Sequence, residues 1–200
     1  MSPSIESDIR SWSKEVLEVS NPHLNGLPAC PYARKAWLSD KVKVLEVDNV
    51  LLSALEQRHL LSKYDLVIVA SYTIPDAETM QAMIEHYNDL GAHEDLHFML
   101  FHPDYGAEDA ELDFLYEHNW ESGLEDYCMI FIQSLAQVDD ASKQLEEKGY
   151  YDTFPEHEYQ TLVLDRRNRR HGNETPSYEK GCQDDAWWQS KWIQTWRLRY

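Results

Sequence analysis

The stretch "DLVIVASY" at residues 65–72 decides the fold class, because it is a continuous apolar run rich in β-branched residues. Such runs are typical of strands that are covered on both faces of a sheet. Before it, "KVKVLEVD" at 41–48 alternates like a strand, and Asn49 is a suitable N-cap for a helix that follows. After it, an apolar stripe predicts a helix over about 77–91. The centre of the chain therefore alternates strand and helix.

Two more strands are predicted on the C-terminal side, "LHFMLFH" at 96–102 and "YCMIFIQSL" at 127–135. An amphipathic helix precedes the strands, and helices at about 138–148 and 155–170 follow them. This order predicts an α/β fold, with a largely parallel or mixed sheet of at least four strands and flanking helices.

The domain organisation follows from a change in composition near Gly172. We expect a single α/β domain over 1–171, and a linker with a Trp-rich appendage over 172–200.

The charge of the chain is strongly negative and unevenly distributed. Of the 200 residues, 36 are acidic and 18 are basic, and neither Lys nor Arg occurs between Lys63 and Lys143. Such a surface repels phosphate backbones, which disfavours nucleic acid as a partner. The three cysteines suggest no disulfide framework, and the apolar runs are too short to cross a membrane. We therefore expect a soluble cytoplasmic protein.

A cysteine lies between two prolines in "GLPACPYARKAWL" at 26–38. Pro31 suits a first helical position, so Cys30 is predicted at the N-cap, where the helix dipole lowers the pKa of a thiol. Arg34 and Lys35 add positive charge and, with Tyr32, are candidate substrate-binding residues. The alternative is that Cys30 is a small buried residue in a turn.

A histidine ends the third predicted strand, where Pro103 stops the pairing. His102 then lies at the carboxyl edge of the sheet, which is where open α/β sheets bind ligands. It could act as an acid or base, oriented by Asp104 or Tyr105, or it could simply close a core strand. Cys30 and His102 together predict a thiol and a base at one site.

Two short motifs resemble a known family. "LPACPYARKAW" and "FHPDY" at 101–105, followed by "IFIQSLAQVDDA", resemble the uncharacterised bacterial family catalogued as domain of unknown function 1415. The resemblance covers roughly 8–170. It implies an N-terminal helix, a Leu-Cys-Pro-Phe-Ala turn, βα units and a Phe-His-Pro-x-Tyr strand end. It implies a fold and a site location, and it implies no reaction.

Three functions remain open from the sequence. The first is a small-molecule enzyme, with Cys30 as nucleophile or redox thiol and His102 as acid or base; its reaction and cofactor are unassigned. The second is a metal-dependent enzyme that uses the acidic stretch at 104–126, which holds nine carboxylates and no cation. The third is a non-catalytic assembly module. Its homo-oligomer would form through the aromatic side chains of the tail, Trp187, Trp188, Trp192 and Trp196.

Overall fold

The computed structural model describes residues 4–103 and 127–172, which form a mixed sheet with helices on both faces. The strands are β1 (Val42–Glu46), β2 (Leu66–Ser71), β3 (Leu96–Phe101) and β4 (Cys128–Ser134). The α-helices are α1 (Ile5–Trp12), α2 (Ala33–Leu38), α3 (Val50–Glu56), α4 (Ala77–Gly91), α5 (Leu135–Glu146), α6 (Glu156–Tyr159) and α7 (Arg166–His171). π-helical turns at Ser13–Leu17 and Gln160–Asp165 extend α1 and join α6 to α7. Short 3₁₀ turns cover Pro22–Leu24, Gln57–Ser62 and Ala92–Glu94.

The sheet has the strand order β1-β2-β4-β3. β1 and β2 pair in parallel, whereas β4 pairs antiparallel with both β2 and β3. β1, β2 and β3 therefore run in one direction, and β4 runs against them between β2 and β3. This confirms the predicted α/β class with a mixed sheet and flanking helices. The carboxyl ends of β1, β2 and β3 and the start of β4 lie at one edge, which we call the carboxyl edge.

Each face of the sheet is covered by a separate apolar cluster. The first face packs against α1 and the start of α2, and its buried side chains include Ile9, Trp12, Ile68, Phe101 and Phe131. The second face packs against α3 and α4, and its buried side chains include Val50, Val69, Met80, Phe98 and Ile130. Successive strand residues point to opposite faces, so the strands are buried on both sides. No helix among the described residues is long and apolar enough to span a membrane.

The helices begin where local side chains satisfy their first backbone N–H groups. Asn49 caps α3, as predicted, by accepting a hydrogen bond of 2.9 Å from the N–H of Leu52. Asp76 caps α4 by accepting a bond of 3.0 Å from the N–H of Thr79, and α4 covers the predicted range 77–91. These caps set where the chain leaves each strand and begins its crossover.

β3 is the last strand in the sheet order, and a side chain from α4 protects part of its outer edge. The buried Asn88 accepts a hydrogen bond of 2.8 Å from the N–H of Phe98 and donates one of 3.0 Å to the carbonyl oxygen of Phe98. One amide side chain thus replaces the two bonds that a neighbouring strand would make. An edge covered in this way is less able to pair with another chain.

Candidate functional site

Cys30 lies beside the end of the π-helical turn that extends α1. Its backbone N–H donates a bond of 2.9 Å to the carbonyl oxygen of Leu17. α2 begins at Ala33 with Tyr32 as its N-cap, so the predicted N-cap position of Cys30 is wrong by two residues. The partly buried thiol packs against the cluster on the first face.

The structure also corrects the expected acidity of this thiol. Burial raises the pKa of Cys30, and the backbone N–H groups of Tyr32 and Ala33, which point at the sulfur, only partly oppose this effect. The negative charge of Glu18 raises the pKa further. The thiol is therefore protonated at neutral pH, because desolvation outweighs the local backbone dipoles.

The neighbouring residues predicted to bind substrate lie at the surface. Arg34 and Lys35 are exposed on α2. The hydroxyl of the exposed Tyr32 donates a bond of 3.3 Å to the side chain of Gln144 on α5. The role of these three residues in substrate binding stays a prediction.

His102 lies directly after β3 at the carboxyl edge, as predicted. It is only 4% exposed, and its Nε2 donates a bond of 2.7 Å to the carbonyl oxygen of Pro75. The alternation along β3 places His102 on the same side as Phe98 and Leu100, which pack in the second-face cluster. The histidine therefore joins the end of β3 to the loop before α4.

The two predicted catalytic residues lie in different surroundings. Cys30 packs against the cluster on the first face, whereas His102 bonds to Pro75 in the loop before α4. Their expected convergence at one site stays a prediction. Their individual catalytic roles stay a prediction, and Asp104 and Tyr105 lie outside the described residues.

Two other predictions fall on parts of the chain that are not described. The acidic stretch 104–126 and the tail residues Trp187, Trp188, Trp192 and Trp196 lie outside residues 4–103 and 127–172. The metal-dependent and assembly functions that depend on them stay predictions.

A group of charged side chains that the motifs did not indicate forms between α5 and the segment 156–171. Its basic members are Arg166, Arg167, Arg169 and Arg170, which we call the arginine cluster. They occupy four of five successive positions in "RRNRR", although the whole chain carries twice as many acidic as basic residues. That concentration was the available signal in the sequence. What the sequence did not show is which of these side chains are buried.

Arg166 forms the centre of this cluster through an ion pair with Asp139 of α5. Its Nε donates a bond of 2.9 Å to Oδ1 of Asp139, and its Nη1 donates one of 2.7 Å to the carbonyl oxygen of Leu162. Asp139 is fully buried and Arg166 is 9% exposed. Nη2 of Arg166 and Oδ2 of Asp139 are both buried and have no hydrogen-bond partner among the described residues. Burial raises the pKa of Tyr151, and the charge of Arg166 and a side-chain hydrogen bond with it oppose that rise. The ion pair itself is made through one oxygen of Asp139 only.

Arg167 holds the same segment to α5 through a second set of contacts. Its Nη1 donates a bond of 2.8 Å to Oε2 of Glu146, and its Nη2 donates one of 3.0 Å to the hydroxyl of Ser142. Tyr159 donates a hydrogen bond to the other oxygen of Glu146. That bond and the contacts with Arg167 lower the pKa of Glu146. Nε of Arg167 is buried without a hydrogen-bond partner among the described residues.

A buried histidine of β3 lies close to these arginines. His97 points away from the second face, opposite to its neighbour Phe98. Burial, followed by the positive charges of Arg166 and Arg169, lowers the pKa of His97 to about 3. The imidazole is therefore neutral at neutral pH, and the positive charge of this region comes from the arginines.

Comparison of the chain with protein-family models, with curated proteins and with solved structures finds no match. The resemblance to the family of unknown function therefore stays a prediction, and the function has to be argued from the geometry.

Proposed function

We propose that the protein binds a small molecule at the arginine cluster through an anionic group of that molecule. The observation that carries this proposal is the guanidinium of Arg166, which is nine-tenths buried and has a buried Nη2 without a hydrogen-bond partner among the described residues. An unpaired buried donor costs about 1–3 kcal/mol, and donors bound to charged groups contribute more than neutral ones. A bound anion would satisfy this donor.

The neighbouring side chains favour a ligand that carries an anionic group. Arg167 has a second unpaired buried donor, Nε, and Arg170 lies with its Nη1 3.9 Å from Oδ2 of Asp139. Guanidinium groups suit the oxygens of carboxylates and phosphates, because their N–H groups form a rigid planar fork. The overall charge of −18 opposes a polyanion, so a small ligand fits the chain better than nucleic acid.

The structure supports binding of a small molecule better than it supports catalysis by a thiolate. Burial raises the pKa of Cys30, which keeps the sulfur protonated at neutral pH. We also retain the proposal that the protein is an enzyme acting on a small molecule. In that case the arginine cluster would bind the substrate. Cys30 and Cys128 are both free thiols, which supports our proposal of a reducing, cytoplasmic location.

The test is a titration of the full chain with inorganic phosphate, sulfate and citrate, followed by calorimetry and thermal unfolding. We expect at least one of these anions to raise the unfolding temperature, because a ligand that binds only the folded state stabilises it. Arg167→Lys keeps the charge and removes the Nε donor, and it should weaken binding about tenfold.

The matched control is Arg58→Lys, which changes a surface ion pair with Glu94 in the same way. It should bind anions like the parent chain. The proposal fails if none of the anions binds, or if both variants bind as the parent does.

A further inference from the structure

The ion pair at the centre of the arginine cluster has an unpaired acceptor as well as an unpaired donor. Oδ1 of Asp139 accepts from Nε of Arg166 at 2.9 Å, but Oδ2 accepts no hydrogen bond from any described residue. A second cation, Arg170, approaches this oxygen with its Nη1 3.9 Å from Oδ2. That distance allows electrostatic attraction but exceeds the length of a hydrogen bond.

The missing second bond defines what a ligand must supply. In a two-bond arginine–carboxylate pair, Nε and one terminal nitrogen donate to the two oxygens in parallel. Here Nε makes its bond, while Nη2 and Oδ2 remain unpaired in the same ion pair. A molecule bound there must accept a hydrogen bond from Arg166 and donate one to Asp139. A simple carboxylate or sulfate can only accept, and Oδ2 opposes its approach, so such an anion should bind here more weakly than a ligand that also donates a hydrogen bond.

We propose that the ligand is an α-amino acid or a close relative, bound with its carboxylate on the arginines and its ammonium on Oδ2 of Asp139. This inference rests on the proposed anion site and adds its substrate class. The ammonium and carboxylate of an amino acid are joined through a single carbon, so one small molecule can satisfy both unpaired atoms. A 2-hydroxy acid offers a hydroxyl donor in the same place and is the chemical alternative that the test must separate.

The surrounding charges fit a zwitterion. Arg166 is neutralised by Asp139, while Arg167 and Arg170 are paired with Glu146 and Asp140, whose side chains are 43% and 63% exposed. A ligand without net charge therefore changes the electrostatic balance of this buried region little, which lowers the cost of bringing it out of water.

The experiment uses the full chain and matched ligands. Each standard L-amino acid is screened by thermal unfolding, and the best binder is compared by calorimetry with its 2-hydroxy analogue, its deamino analogue and inorganic sulfate. We expect the amino acid to bind about tenfold more tightly than its deamino analogue, because a buried charge-assisted hydrogen bond is lost.

Two variants test whether Asp139 makes the contact with the ammonium group of the ligand. Asp139→Asn replaces the charged acceptor and should bring the affinities for the amino acid and its deamino analogue together. Asp65→Asn, at an exposed position before β2, should keep the parent preference. Asp139→Asn removes one member of a buried pair, so circular dichroism must show that it is folded. The comparison of ligands on the parent chain decides the question if that variant does not fold.

The outcomes distinguish the two proposals. If sulfate or the deamino acid binds as well as every amino acid, the substrate class is wrong and the anion site stands. If the 2-hydroxy acid binds most tightly, the ammonium contact is wrong. If neither amino acids nor anions bind, both proposals are overturned.

Discussion

Replacing His97 with glutamine should remove a large part of the protein's sensitivity to mild acid. Burial and the positive charges of Arg166 and Arg169 lower the pKa of His97 to about 3 in the folded chain. In the unfolded chain a histidine titrates near 6.5. As the pH falls through 6.5, the unfolded state takes up a proton that the folded state refuses. The stability due to neutral His97 is therefore present above pH 6.5 and is lost progressively as the pH falls toward 3.

The size of the effect follows from these two pKa values. Between pH 7 and pH 5 the linkage predicts a loss of about 2 kcal/mol of unfolding free energy from His97 alone. By pH 3 the loss approaches roughly 4–5 kcal/mol, which is a large share of the stability of a typical domain. His97→Gln has a side chain that does not titrate, so this contribution disappears.

The assay is urea unfolding at pH 7 and pH 5 for the parent chain, for His97→Gln and for His86→Gln. His86 is exposed on α4 and serves as the matched control. We expect the loss of stability between the two pH values to be about 2 kcal/mol smaller in His97→Gln than in the parent, and unchanged in His86→Gln. Carboxylates that titrate in this range contribute equally to all three chains and cancel in the comparison.

An equal loss in His97→Gln and the parent would refute the reasoning, because it would mean that His97 takes up its proton in the folded state. Titration of the His97 ring by NMR gives an independent check. A midpoint near 6 would contradict a buried neutral imidazole beside the arginines.

Three further predictions concern the thiol, the sheet edge and the turn after α5. Burial raises the pKa of Cys30, so its alkylation between pH 7 and 9 should be slower than that of free cysteine; peptide mapping that shows faster reaction would contradict the burial. Asn88→Leu leaves the N–H and carbonyl of Phe98 without their partner, and should lower the unfolding free energy by about 1–3 kcal/mol for each group. A chemical-denaturation midpoint equal to the parent's would show that water replaces Asn88 as the hydrogen-bond partner of Phe98. Gly149 has φ +73°, and a Cβ there would lie 2.6 Å from Oδ2 of Asp152, so Gly149→Ala should cost at least about 1–2 kcal/mol in the same assay; an unchanged midpoint would show that the turn relaxes.

The candidate site could be predicted from the sequence only in part. The basic run at 166–170 is visible in the sequence, but such a run usually indicates a solvated helix surface. The structure buries Arg166 against Asp139, which lies 27 residues earlier. The expectation for Cys30 failed for the same reason. Local dipoles and nearby cations predicted a lower pKa, whereas packing against the first face raised it.

The sequence by itself determined the elements of this protein. The four strands and the helices that follow them lie close to their predicted positions, and Asn49 caps α3 as expected. Apolar periodicity and capping act over a few neighbouring residues, so they are readable without the fold. Only the tertiary structure decided that β4 enters antiparallel between β2 and β3, that Cys30 packs against the first face, and that one arginine is buried. Strand order and burial depend on contacts between distant parts of the chain, where many arrangements share the same local pattern and packing selects one of them.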